Sequence, residues 1–259
     1  MKVSIITINY NNYEGLERTL KSVRSQSYSD YEHVVIDGGS KDNSVDIIKS
    51  YEDHLSFWVS EPDGGIYNAM NKGVANSNGE YCLFLNSGDV LCDNNSLLRI
   101  CSNEFYEDVV AANLMVDNSV KGANIPPDRI SLEYLLASSL PHPSTLIKRD
   151  LLVALPYKEN YKIVSDWIFF FEALVINCKS FRHVNDYLSV FYTDGVSGNK
   201  QKARAEQVQF LNEIYGDVFI RFIEDSYTRA FISSTFLKPF LKKALHVLIK
   251  IFLRINQLF

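Results

Sequence analysis

Glu61 to Asp89 reads EPDGGIYNAMNKGVANSNGEYCLFLNSGD. It divides into three joined pieces. A polar, glycine-bearing loop runs from Glu61 to Gly65. A short helix is expected over Ile66 to Ala75, with Tyr67, Asn68, Asn71 and Lys72 as its polar side chains. Tyr81 to Leu85 is an unbroken apolar run of the kind that buried strands of parallel sheets produce. That strand stops at Asn86-Ser87-Gly88-Asp89. A carboxylate just past the C-terminal end of a central strand lies where open α/β sheets bind ligands. Asp89 is therefore the first residue to mark as functional.

Upstream, Val3 to Ile8 and Tyr31 to Ile36 read as two further buried strands, with a helix over Tyr13 to Ser25 between them. Asp42-Asn43-Ser44 opens a helix through Tyr51, and Leu55 to Val59 is a third strand. Strands alternating with helices over the first 90 residues predict βαβ units and a mostly parallel α/β sheet flanked by helices. Downstream, helices are expected over Ser96 to Phe105, Leu132 to Ala137, Lys162 to Asn177 and Gln201 to Glu224. Strands are expected over Asp108 to Val116, Ser144 to Ile147 and Tyr187 to Thr193. No repeat or low-complexity linker interrupts the chain, so residues 1–225 are expected to form one domain and 226–259 a separate tail.

Three strands end in polar residues: Asn9, Asp37 and Asp89. In a parallel sheet these ends share one edge, so residues far apart in sequence can meet in one crevice. Two carboxylates and an asparagine there suit a nucleotide and a hard divalent cation, Mg²⁺ or Mn²⁺. Asp37 also has a plainer reading as a turn-shaping residue, and Asp42 reads first as a helix cap. The sequence has no Walker loop, no Gly-x-Gly-x-x-Gly after the first strand and no Gly-x-Ser-x-Gly elbow, which removes the usual support for kinase, dinucleotide-dehydrogenase and α/β-hydrolase readings.

The chain has 259 residues, and at 46% hydrophobic it can bury a substantial core. Its net charge of −5 gives no reason to expect a nucleic-acid partner. Cys82, Cys92, Cys101 and Cys178 form no Cys-x-x-Cys pair and read as core thiols of a reducing compartment. No signal peptide is legible before VSIITI, so the body is expected to be cytoplasmic.

Four segments together resemble a known family: VSIITINYNN, VVIDGGSKDNS, the 61–89 stretch with its preceding Ser60, and His142-Pro143-Ser144 followed by KIVSDWIF (162–169). Each is weak alone, but their order and spacing are specific. Over roughly residues 3 to 195 the chain resembles the inverting glycosyltransferases of the GT-A fold, family 2, and more narrowly the bacterial polysaccharide-assembly members. The resemblance implies a nucleotide-diphosphate sugar donor, expected to be UDP-linked, and transfer to a hydroxyl of a glycan acceptor. It places Asp37 on the nucleobase, Thr7 and Asn9 near base and ribose, and Asp63 and Asn71 in the segment lining the nucleotide pocket. Asp89 matches the last aspartate of the DxD-type metal motif, whose cation (Mn²⁺ or Mg²⁺) bridges the diphosphate. Asn86 and Gly88 depart from that pattern, where many members carry aspartates. Asp166 matches the catalytic base, with an N-cap role as its plainer reading. His142, stiffened by flanking prolines, is a candidate contact for diphosphate or metal, with a packed loop histidine as the alternative. Lys72 reads first as a solvated helix lysine.

From Ser226 onward there are six basic residues and no acid, so the first 225 residues carry −11 of the net −5. Lys238, Lys242, His246, Lys250 and Arg254 recur every fourth position beside leucines, isoleucines and phenylalanines. Charges interrupt every apolar run, so the tail is expected to lie on an anionic membrane surface as a basic amphipathic helix rather than to span the bilayer. The alternative is packing on the body or on a second subunit, and a homo-oligomer is compatible with the sequence. The whole reading is a peripheral enzyme at the inner face of the cell membrane with a lipid-linked glycan acceptor. Two rivals remain at this stage: a sugar nucleotidyltransferase, whose glycine-rich basic loop NYNNYEGLERT does not supply, and a catalytically inactive relative, supported by Asn86 and Gly88.

Overall fold

The computed structural model describes residues 2–116, 122–192 and 201–216. Its central strand is β1 (Val3–Asn9), buried along its whole length. Strands covered on both faces have no solvent side for polar residues, which is why VSIITI is continuous rather than alternating. On one side β1 pairs in parallel with β2 (Tyr31–Asp37), which pairs in parallel with β3 (Phe57–Ser60). On the other it pairs in parallel with β4 (Tyr81–Phe84). The crossovers carry α1 (Tyr13–Arg24), α2 (Ser44–Ser50) and α3 (Ile66–Ala75). Asn12 caps α1 by accepting from the Gly15 amide at 3.2 Å, and Leu16, Leu20 and Val23 turn that helix's apolar stripe inward. The register sets Asn9 opposite Asp37, and Asp37 opposite Ser60, so the polar strand ends do reach one edge.

Beyond β4 the sheet changes character. β8 (Thr145–Lys148) runs antiparallel to β4 and to β6 (Val109–Val116). β6 is parallel to β9 (Phe181–Phe191), and β9 carries β5 (Val90–Leu91) antiparallel at the far edge. β7 (Gly122–Asn124) pairs with β6 off this path. The parallel half is thus the part whose alternating pattern is plain in the sequence. The second half is mixed. β9 starts six residues before its expected beginning at Tyr187. It is half-exposed along much of its length, and Arg182, His183, Asn185 and Asp186 hide its strand character. β3 starts at Phe57 because a 3₁₀ turn occupies Glu52–His54. The expected helix from Lys162 begins at Ser165 as α7 (Ser165–Phe170) and continues as a π-helical turn over Phe171–Ile176. The shorter helices are α4 (Ser96–Cys101), α5 (Leu132–Ala137) and α6 (Arg149–Ala154).

The chain divides into two compact units, 1–199 and 200–259. In the second, residues 201–216 are helical and bury Phe210 and Leu211. The expected boundary at 225/226 and the basic tail of 226–259 lie outside the described residues.

A buried carboxylate ties the start of the sheet together. Glu32 is 5% exposed and accepts from the Ser4 hydroxyl at 2.6 Å, from the Gly79 amide at 2.9 Å and from the Asn78 amide, with the Lys2 ammonium 3.1 Å away. Burial alone would raise its pKa, but these partners hold it down to about 2. Because the folded pKa lies below the unfolded one, the stabilisation is complete above the ordinary glutamate pKa and is lost as pH falls toward 2. Glu32→Gln is expected to cost about 2–3 kcal/mol in urea unfolding at pH 7, and the gap from wild type should shrink to roughly half by pH 3. A gap that stays constant with pH would show that the carboxylate's charge is not what stabilises this corner.

Candidate active site

Two clusters of polar side chains form at the C-terminal edge of the parallel strands. The first is centred on Asp37, which is fully buried. Its Oδ1 accepts from Asn9 Nδ2 at 2.8 Å and from the Ser40 hydroxyl at 2.5 Å. Its Oδ2 accepts from the Ser40 amide at 2.9 Å and from the Ser60 hydroxyl at 2.6 Å. Burial would raise the pKa of this carboxyl, and the four hydrogen bonds together hold it below the ordinary aspartate value. Asp63 and Tyr10 close over Gly38. A Cβ at Gly38 would stand 2.7 Å from Asp63 Oδ2 and 3.2 Å from Tyr10 Cδ2, so a larger residue would push the Asp63 carboxylate aside. Tyr10 is 65% exposed. The result is a buried, fully hydrogen-bonded carboxylate at Asp37 with the exposed ring of Tyr10 and the Asp63 side chain near Gly38 beside it. Tyr10 was not singled out from sequence. Its signal is an aromatic residue in a polar loop straight after a buried strand.

Two expected members stand differently. Thr7 is fully buried, with its hydroxyl 2.9 Å from His33 Nε2. Burial lowers the pKa of His33 to about 3, so this is a neutral pair inside the sheet layer. Asn71 commits its amide to the loop before α7: Nδ2 donates to the Tyr157 carbonyl at 2.9 Å and to Glu159 Oε1 at 3.0 Å, and Oδ1 accepts from the Tyr157 amide at 3.0 Å. It fastens α3 to that loop. Lys72 is paired with Glu61 at 2.7 Å. Asp42 accepts from the Tyr13 and Ser44 amides at 3.1 and 3.0 Å, which fits its reading as a cap.

The second cluster lies where β4 ends. The Asn86–Asp89 turn is held from α1: Thr19 donates its hydroxyl to the Asp89 carbonyl at 2.7 Å and accepts from the Gly88 amide at 3.0 Å, and Asn12 Nδ2 donates to the Ser87 carbonyl at 3.1 Å. Gly88 has φ +110°, a conformation that side chains strain, so an aspartate here would require the turn to be rebuilt. Asp89 is 5% exposed. Across from it, a 3₁₀ turn over His142–Ser144 presents the imidazole. His142 Nε2 is 3.2 Å from Asn86 Nδ2, and His142 Nδ1 is 3.7 Å from Asp166 Oδ2. Asp166 sits in the first turn of α7 with a fifth of its side chain exposed. Burial would lower the pKa of His142, but the nearby Asp166 carboxylate, with the charge of Asp89, raises it above the ordinary histidine value. Tyr67, at the start of α3, approaches the other oxygen of Asp166 at 3.0 Å. Asp89, His142 and Asp166 are thus brought together from three distant segments.

The glycosyl transferase family 2 model matches residues 4–175, which covers both clusters. The chain belongs to that family. A PGL/p-HBAD biosynthesis glycosyltransferase of Mycobacterium bovis is 30% identical over 178 residues, 64% of this chain and 67% of that one. An uncharacterized glycosyltransferase of Mycobacterium tuberculosis is 51% identical over 88 residues, but this match spans only 34% of either chain. Among solved structures, TarS residues 1–349 of S. aureus, in complex with UDP-GlcNAc, superposes with a TM-score of 0.64 at 21% identity, covering 82% of this chain and 67% of that one. At that identity the likeness establishes the GT-A fold. Family 2 membership sets aside the sugar nucleotidyltransferase reading.

Proposed function

We propose that this protein is an inverting glycosyltransferase that moves a sugar from a UDP-sugar to a hydroxyl of a lipid-linked glycan in the assembly of a bacterial cell-surface polysaccharide. The observation that carries this reading is the approach of Asp166 to His142 beside Asp89, one turn from the end of a central strand. In the reaction, Asp166 takes the proton of the acceptor hydroxyl as its oxygen attacks the anomeric carbon, and the nucleoside diphosphate leaves from the opposite face. His142, 3.7 Å from Asp166 and within the field of Asp89, holds the departing diphosphate in this reading. Asn9, Asp37, Asp63 and Tyr10 take the nucleoside. TarS having been solved with UDP-GlcNAc supports a uridine donor. The name of the M. bovis relative supports a biosynthetic role.

Among the described residues, no three His, Cys, Asp or Glu side chains gather to hold a metal ion. The turn at the end of β4 nonetheless suits one. It offers the Asp89 carboxylate, and the buried Asn86 Oδ1 makes no hydrogen bond. Two oxygen donors fit Mg²⁺ or Mn²⁺ when diphosphate oxygens and water complete the shell. Bound there, the cation would neutralise charge on the leaving group.

Calorimetric titration of UDP and GDP, each with and without Mn²⁺, tests the reading. Tight UDP binding that requires Mn²⁺ supports it. GDP preference changes the donor. A folded sample that binds neither turns the balance to an inactive relative, which Asn86 and Gly88 favour.

No helix among the described residues is long and apolar enough to cross a membrane. The composition of residues 226–259 supports peripheral attachment, with attraction of about 1 kcal/mol for each basic residue near an anionic surface. Deleting residues 237–259 is expected to move the protein from the membrane fraction to the soluble one. An unchanged distribution would remove the tail from this role.

A further inference from the structure

Tyr67 makes a contact that its helix does not need. Its ring is 6% exposed and packs 5.6 Å from the ring of Tyr157. Its hydroxyl lies 2.7 Å from the Ile163 carbonyl and 3.0 Å from Asp166 Oδ1. A phenol has one proton, so it serves one of these acceptors fully or both in part. Both acceptors belong to the segment that delivers Asp166, 96 and 99 residues away in sequence. The oxygen pointing the other way, Oδ2, stands 3.7 Å from His142 Nδ1, beyond the reach of a direct hydrogen bond.

We infer that Tyr67 is the positioning residue for Asp166, and that Oδ2 is the oxygen that receives the acceptor's proton. The inference rests on the transferase reading above and adds an atom-level assignment to it. The phenol fixes the carboxylate plane through Oδ1, which turns Oδ2 toward His142 and the reaction space. In the transfer, the acceptor O–H bond breaks and its proton passes to Oδ2. The acceptor oxygen forms a bond to the anomeric carbon. The bond from that carbon to the diphosphate oxygen breaks, and its electron pair leaves with the nucleoside diphosphate. As the carboxylate is neutralised, the phenol proton can swing to the Ile163 carbonyl.

The test is the Tyr67→Phe variant, which keeps the ring packing and removes only the hydroxyl. Wild type, Tyr67→Phe, Asp166→Asn and the double variant are assayed for UDP release from UDP-GlcNAc, UDP-glucose and UDP-galactose with Mn²⁺, water serving as acceptor. Tyr67→Phe should lower kcat roughly tenfold or more while donor KM stays within about twofold, because the loss falls on geometry at the reacting atoms. In the Asp166→Asn background the same change should cost nothing further, since the group it acts through is gone. A purely structural tie to Ile163 would instead lower the melting temperature and leave the kcat of the folded fraction unchanged. If Tyr67→Phe keeps wild-type kcat while Asp166→Asn is inactive, the assignment of Tyr67 is wrong and the base stands. If Asp166→Asn retains wild-type turnover, the base reading fails. If the folded wild type releases no UDP from any of these donors, the uridine-donor reading fails, and this inference fails with it as stated.

Discussion

Asp166→Asn is expected to lower sugar transfer about a thousandfold, in the range that a positioned general base supplies. Nucleotide affinity should stay within about twofold, because the contacts proposed for the nucleoside are at Asp37 and Asp63, on a different part of the strand edge. The substitution is nearly isosteric. The asparagine Oδ1 can still accept from Tyr67, whose hydroxyl also has the Ile163 carbonyl within 2.7 Å. With a fifth of its side chain exposed, Asp166 is not part of the sealed core, and its 3.7 Å ion pair with His142 is long, so the stability cost should stay near 1 kcal/mol or less. What asparagine cannot do is take a proton. The measurement is a comparison of single-turnover rates at saturating donor, with melting temperature as the control. A variant that transfers within about tenfold of wild type would leave no room for Asp166 as the base.

The parallel half of the sheet was legible because burial on both faces writes itself into the chain as VSIITI and YCLFL. Its polar ends were legible for the same reason: a run of apolar residues that stops at Asn9, Asp37 or Asp89 marks an edge. What those ends do was less so. Asp37 stood out as a carboxylate at a strand end, but not as one whose two oxygens are both engaged by Asn9, Ser40 and Ser60. Thr7 was placed near the base by the family resemblance. It is one side-chain repeat back from Asn9 along the same strand, and there His33 takes its hydroxyl. β9 was cut short because a half-exposed strand with charged residues carries little periodic signal. The Tyr67–Asp166 contact was out of reach altogether. It joins two helices through loops whose course no local pattern records, and nothing in GGIYNAM says that its tyrosine faces a carboxylate 99 residues on.

Asp89→Ala is expected to abolish the Mn²⁺-dependent part of UDP binding, weakening affinity in Mn²⁺ by about a hundredfold, or ~2.7 kcal/mol. The turn itself should survive. Thr19 holds the Asp89 backbone carbonyl and the Gly88 amide, and Asn12 holds the Ser87 carbonyl, so none of these bonds uses the deleted side chain. What disappears is the one carboxylate of the Asn86–Asp89 turn. Asn86 Oδ1 would then face the cation alone, and a single neutral amide oxygen is a poor substitute for a charged ligand. Lys72 cannot readily take over the diphosphate charge while it is paired with Glu61 at 2.7 Å. In the absence of Mn²⁺, Asp89→Ala should bind UDP as well as wild type or slightly better, because an unneutralised carboxylate beside the diphosphate repels it. The contrast with the loss in Mn²⁺ separates a metal role from a direct contact. If Asp89→Ala binds UDP in Mn²⁺ as well as wild type does, the cation is not held at this turn, and the charge of the leaving group would have to be met by His142.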